Sequence, residues 1–265
     1  MTLVAGVAGR PIQQSLSPLI HGAWIAGAGL DATYGAFEPA DDAAFAALVG
    51  EGRAGRLRGL NVTAPWKEQA QALADEVSET ARRCGSANLL VFEGGRVRAD
   101  STDGTGLLAA LAEQAPALRL DGAKVLLLGA GGAARAAAAA LKAAGAEVAV
   151  MNRTRERAKA LADDLGLTVA GPEAAGEAAL VINAVSVAPD MDIFTLRPDA
   201  VLMDMTYRPL ITPFLAAGRA RGLTTVDGLA MLIGQARPSF TGVFGVEPPA
   251  IDVRRLALTA MGEAG

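Results

Sequence analysis

The sequence predicts an α/β protein of two domains, and three observations carry that expectation. Short strand-like apolar runs alternate with longer helical stretches from end to end, the pattern of a parallel sheet joined by helical crossovers. Near "DSTDGTGLLAALAEQ" the character changes: Thr102 or Asp103 can cap a helix that leaves the first unit, and a fresh strand, glycine turn and helix begin at Lys124. At 265 residues the chain has room for two ordinary domains or one large α/β barrel. The "EGG" turn between Phe92 and Val97 argues against the barrel, because a hairpin there gives the first half an antiparallel edge.

Taken in order, strands are expected over 3–7, 33–37, 57–62, 88–92, 124–128, 147–151, 180–183, 200–204 and 224–226, with helices in most of the gaps. A first domain over 1–102 and a second over 103–237 follow from the change of character at Asp103. Pro248 and Pro249 precede an amphipathic run with no strand partner, so helices over 238–265 are expected to pack back and complete the first domain. The stretch "ARAAAAALKAAGA" is low in complexity, yet its helix propensity and closing glycine make it an ordinary helix.

Composition narrows the function. Hydrophobic residues make up 51% of the chain, much of it alanine, and no apolar run approaches the roughly 20 residues of a bilayer crossing. The N-terminus enters strand-like sequence at once, so a cytoplasmic protein is expected. One cysteine, Cys84, and one histidine, His21, leave no disulfide and no zinc set. With 24 basic and 28 acidic residues the net charge is −4, which exerts no pull on nucleic acid or an acidic membrane. The partners left are small molecules or a second copy of the chain, as a monomer or a homodimer.

The stretch "KVLLLGAGGAARAAAAAL" runs a buried strand into glycines and then a helix, which is the context of a dinucleotide-binding turn. Gly129 permits the tight turn, Gly131 lets the backbone approach a pyrophosphate, and Ala134 allows close helix packing. The helix N-terminus supplies N–H groups and a positive dipole end. Twenty-three residues after Gly129, where an NAD-binding chain places an acid on the ribose, the sequence reads "MNRTRERA". Asn152, Arg153, Thr154 and Arg157 offer donors and positive charge that suit a 2′-phosphate, so NADP is the expected cofactor.

The first domain carries polar groups at successive strand ends. In "QQSLSPLIHG", Ser15 and Ser17 are two apart, and on an extended segment both hydroxyls would face one carboxylate. "NVTAPWK" adds Asn61, Thr63 and Lys67, "GSANLL" adds Asn88 and "STDGTG" adds Asp103. Each alone is an ordinary turn or cap residue, and their concentration at strand ends marks a binding site. Trp66 is expected to be a packing anchor, and His21 to point inward as a structural residue.

These residues bring the chain to a known family. "SLSP", "NVTAPWK", "SAN", "TDGTG", "GAGGAARA", "NRT", "DMTYRP" and "DGLAMLIGQA" stand in order over nearly its whole length, and the chain resembles a shikimate dehydrogenase of aromatic amino-acid (chorismate) biosynthesis. The resemblance implies an α/β substrate domain with a mixed sheet, a Rossmann-type NADP domain, and a cleft between them. It implies reversible hydride transfer between NADPH and the ketone of 3-dehydroshikimate. It puts Ser15, Ser17, Asn61, Thr63, Lys67, Asn88, Asp103, Tyr207 and Gln235 on substrate-contacting positions. It puts Gly129, Ala130, Gly131, Gly132, Ala133, Asn152, Arg153, Thr154, Arg157 and Gly228 on the cofactor. Lys67 can give both positive charge and a proton to the developing oxyanion, and Asp103 can hold the lysine ammonium and a substrate hydroxyl. Asn88 and Gln235 would read ring hydroxyls.

The sequence departs from the family pattern in "INAVSVAPDMD", where Val185 and Ala188 replace a hydroxyl-rich loop that abuts the nicotinamide. The nearest alternative is a quinate dehydrogenase, or one of mixed specificity, with the same fold. In the resembled group a serine at the second serine position of "SLS" is typical of shikimate users, so Ser17 favours shikimate. A non-catalytic NADP-binding sensor is the alternative from another class, and it would be expected to lack Lys67 or Asp103.

Overall fold

In a computed structural model of the chain, which describes residues 2–185 and 195–263, the polypeptide divides into two compact units. One is Met1–Thr102 with Gln235–Gly265, the other Asp103–Gly234. The first holds strands β1 (Leu3–Ala8), β2 (Ala32–Phe37), β3 (Gly59–Val62), β4 (Glu76–Val77), β5 (Leu89–Glu93) and β6 (Arg96–Asp100) in the spatial order β2-β1-β3-β5-β6-β4. β1 pairs parallel with β2 and β3, whereas β5 runs antiparallel to β3 and β6, so the sheet is mixed. The turn between β5 and β6 is Gly94-Gly95, both at positive φ (56° and 77°), the left-handed pair a two-residue hairpin favours.

Helices α1 (Ser17–Gly27), α2 (Asp42–Arg53), α3 (Lys67–Ala72) and α4 (Glu79–Cys84) belong to this unit. Their ends are set locally: Asp41 caps α2 through Ala44 N–H at 2.8 Å, and Ser78 caps α4 through Ala81 N–H at 3.0 Å. Phe45 of α2 stacks on Trp66 at 5.3 Å, with Leu60, Val62, Leu90 and Phe92 in the same core. Trp66 donates its indole N–H to Asp42 at 3.0 Å, so it is the anchor the sequence implied and has its polar end satisfied. β3 begins at Gly59, two residues later than expected. A side chain at Gly59 would meet Val243 at 2.4 Å, so a distant packing contact selects glycine there.

The second unit opens with α5 (Asp103–Gln114), followed by β7 (Lys124–Leu128), α6 (Gly132–Ala143), β8 (Glu147–Met151), α7 (Arg155–Leu165), β9 (Thr168–Val169), β10 (Leu180–Asn183), β11 (Val201–Asp204), α8 (Pro213–Ala220) and β12 (Thr224–Val226). All pairings are parallel, in the order β12-β11-β10-β7-β8-β9. Counted from β7, this is the doubly wound 3-2-1-4-5-6 arrangement, whose strand order reverses between β7 and β10. Small residues let helices close on one another: a side chain at Gly104 of α5 would meet Ala140 of α6 at 2.7 Å. Two-residue β4 and β9 escape the sequence reading because so short a strand shows no period.

Helix α9 (Gly228–Phe244) contains the division at Gln235, and α10 (Val253–Met261) ends the chain. The terminal segment packs on α1, where Ile251 and Pro249 lie against Gly27. No helix among the described residues is long and apolar enough to cross a membrane.

Candidate active site

In the first unit the expected substrate residues cluster at the ends of β3 and β5. Asn61 lies within β3, half-buried, and Thr63 follows it, tied to β1 by its N–H on Ala8 O at 2.8 Å. Lys67 is the first residue of α3 and half-buried, and its carbonyl accepts the Ala87 N–H at 2.9 Å. That bond docks the start of α3 beside the residue preceding Asn88, which is itself 3% exposed. Gln235 joins from α9 by accepting a hydrogen bond from Asn88 Nδ2 at 2.8 Å.

Ser15 and Ser17 are close but not on an extended segment. Leu16 between them is helical (φ −85°, ψ −6°), and the Ser17 N–H donates to Ser15 Oγ at 3.3 Å. Ser15 lies before the helix and Ser17 opens it, with Pro18 in its first turn, so the alternation argument does not apply.

A hydrogen-bonded network lies behind these residues. Tyr34 Oη donates to Asn61 Oδ1 at 2.8 Å, and Asn61 Nδ2 donates to Asn88 O at 3.1 Å and to Ser239 Oγ at 2.9 Å. Thr102 N–H donates to Asn88 Oδ1 at 2.8 Å, and Asn88 Nδ2 also reaches Thr102 Oγ1 at 3.0 Å. Desolvation holds the Tyr34 phenol well above its usual range, so it remains a neutral donor. Nothing local in "ATYGAF" or "RPSF" marks Tyr34 or Ser239 as part of a site.

Beside this network sits His21, 1% exposed, its ring stacked on Tyr34 at 4.1 Å and 5°. Burial lowers its pKa to about 3, and its Nδ1 has no hydrogen-bond partner among the described residues. It is inward and neutral.

In the second unit Asp103 heads α5 at 2% exposure, and Tyr207 lies half-buried beyond β11. The turn after β7 has the form a dinucleotide requires. Gly129 sits at φ +117°, where only glycine is comfortable, and a side chain there would press on Val185 and Ala184 beyond β10. Gly131 differs: its φ is −89°, and a side chain would meet nothing within 4 Å among the described residues. Neither backbone nor packing requires glycine there, so the open space suits a ligand approaching the backbone. Gly131 is also the N-cap of α6 with no side-chain cap, leaving N–H groups of Gly132, Ala133 and their neighbours for an anion.

At the end of β8, Arg153, Thr154 and Arg157 are exposed, while Asn152 is half-buried and donates to Thr154 O at 2.9 Å. Neither Arg153 nor Arg157 forms an ion pair among the described residues, although both lie by the N-terminus of α7, where the helix dipole disfavours cations. Gly228 has an internal reason to be glycine: a side chain would meet the carbonyls of Met205 and Thr206 at 2.4 and 2.6 Å. The residues present therefore fit NADP.

Buried Asn183 and Asp204, at the C-terminal ends of β10 and β11, were not anticipated from the sequence. Asn183 Nδ2 and Thr212 Oγ1 both donate to Asp204 Oδ2, at 3.0 and 2.8 Å, tying the strand ends to the cap of α8. Val185 follows, with its N–H on Asn183 Oδ1 at 3.2 Å. Ala188, the other departure from the family pattern, lies outside the described residues.

A doubly wound unit with a glycine turn open to a dinucleotide, joined in one chain to a mixed-sheet unit carrying Asn61 and Thr63 by the end of β3 and Lys67 at the start of α3, is the arrangement of a two-domain nicotinamide-dependent oxidoreductase. Residues 7–90 match the family model of the shikimate dehydrogenase substrate-binding domain, and residues 110–187 match that of shikimate/quinate 5-dehydrogenase. A shikimate dehydrogenase (NADP(+)) of Caulobacter vibrioides is 52% identical, over 98% of this chain and 96% of that protein. The shikimate 5-dehydrogenase of Thermus thermophilus, solved with NADP(H) and shikimate, is 38% identical with a TM-score of 0.91, covering 98% of this chain and 100% of that one. A quinate dehydrogenase from Corynebacterium glutamicum, solved with NAD, is 30% identical with a TM-score of 0.87, over 98% and 99%. The chain belongs to the shikimate dehydrogenase family.

Proposed function

We propose that the protein is an NADP-dependent shikimate dehydrogenase that interconverts shikimate and 3-dehydroshikimate. The observation that carries this reading is the match over nearly the full length, at 52% identity, to a relative that bears that name. The exposed Arg153 and Arg157, which form no ion pair among the described residues, favour a nucleotide with an additional phosphate.

When bound, NADP accepts or returns the hydride. The chain's residues do the rest. Lys67 is the proposed proton donor and cation at the oxygen that gains charge as the ketone is reduced, and it takes the proton back in the reverse direction. Asp103 is the proposed acceptor for the substrate hydroxyl, which it orients and holds through the proton transfer. Ser15, Ser17, Thr63 and Tyr207 are assigned to substrate by resemblance, as are Asn61, Asn88 and Gln235. The reading is tested by NADPH absorbance in four cells: shikimate or quinate, each with NADP or NAD. Reduction with shikimate and NADP alone supports it, comparable rates with quinate move the protein to mixed specificity, and silence in all four overturns it.

A further inference from the structure

We infer that Ser239 and Tyr34 are positioning residues for substrate binding, acting through the amide of Asn61; the inference rests on the shikimate dehydrogenase reading. The proton positions in the network are not arbitrary. Two main-chain groups fix them. Asn88 O can only accept, so the Asn61 atom 3.1 Å from it is Nδ2, and Oδ1 must face the Tyr34 hydroxyl. Thr102 N can only donate, so the Asn88 atom 2.8 Å from it is Oδ1, and Nδ2 must face Gln235 Oε1.

Ser239 joins these two halves. Its hydroxyl accepts from Asn61 Nδ2 at 2.9 Å and lies 3.2 Å from Thr102 Oγ1, a contact in which either hydroxyl can donate. Thr102 Oγ1 in turn accepts from Asn88 Nδ2 and donates toward Asn88 Oδ1 at 3.3 Å. Ser239 is 0% exposed, Asn88 3% and Thr102 4%, so no solvent competes for these bonds. The consequence reaches Gln235. Because Asn88 takes its Oε1, the Gln235 amide is set with NH2 as the group offered outward, ready to donate to a hydroxyl. Both Asn61 hydrogens are spent on the protein, leaving one lone pair on Oδ1, whose direction Tyr34 sets.

Ser239→Ala removes the coupling hydroxyl without adding bulk, and Tyr34→Phe removes only the phenolic oxygen. Each is expected to raise KM for shikimate about ten-fold, the size of one buried hydrogen bond's effect, with kcat changed less than three-fold and KM for NADP unchanged. Because both act on one amide, the double variant is expected to lose less in kcat/KM for shikimate than the product of the single losses. Assays run well below the melting temperature of each variant separate this from a general loss of folding. Ser239→Thr, which keeps a hydroxyl, is expected to recover most of the lost affinity. Wild-type KM for shikimate in both single variants overturns the inference, as does an equal rise in KM for both substrates or strict multiplicativity in the double variant. A wild-type enzyme silent with shikimate and NADP overturns the underlying reading, and the inference with it, and is distinguishable from those outcomes.

Discussion

His21 offers a test of burial through pH. It is the only histidine in the chain, 1% exposed, with its pKa lowered to about 3 by loss of solvent. In the unfolded chain the imidazole titrates at about 6.5. The unfolded state therefore binds the proton first, and stability falls as the pH drops below 6.5, continuing down to about 3. At pH 5 the unfolded imidazole is almost fully charged and the folded one almost wholly neutral, which costs about 2 kcal/mol at 1.36 kcal/mol per unit. For a protein of this size that corresponds to roughly 4–8 °C in melting temperature. Both tryptophans, Trp24 and Trp66, lie in the unit that holds His21, so their fluorescence follows its unfolding. His21→Phe keeps a ring against Tyr34 and removes the titrating group, and among the described residues Nδ1 has no hydrogen-bond partner to be orphaned. The difference between the wild-type and His21→Phe melting curves should open by that amount between pH 7 and pH 5. Parallel dependence in the two proteins would refute a buried, neutral His21.

Three further outcomes are expected. Lys67→Ala should lower kcat by about 10²–10⁴-fold while NADP binding, followed by fluorescence titration, stays within two-fold, since proton transfer contributes on that scale; equal loss of cofactor binding would contradict the assigned role. Arg153→Ala should weaken NADP by roughly 10–100-fold with NAD affected far less, the worth of a hydrogen bond to a charged group, and an unchanged NADP/NAD preference would count against the 2′-phosphate reading. Gly131→Ala should leave the melting temperature within a degree or two, because the added methyl meets nothing within 4 Å, yet raise KM for NADP about ten-fold by blocking the backbone approach. A melting-temperature loss with unaltered KM would show that the glycine serves the fold.

The sequence by itself determined the α/β architecture, nearly every strand, the hairpin at Gly94-Gly95 and the glycine turn at Gly129, because these depend on periodicity and on the φ of single residues. It also singled out Asn61, Lys67, Asn88 and Asp103, whose short motifs recur at successive element ends. The extended backbone expected between Ser15 and Ser17 is not what forms, since Leu16 between them is helical. What only the tertiary structure decided is which polar groups meet. Asn61 finds Ser239 at 178 residues' separation and Asn88 finds Gln235 at 147, while Gly59 is glycine because Val243 lies against it. No local pattern encodes such pairings. They follow from sheet register and from the return of residues 235–265 to the first unit, and in a buried site the donor and acceptor choices of every amide then follow from its neighbours.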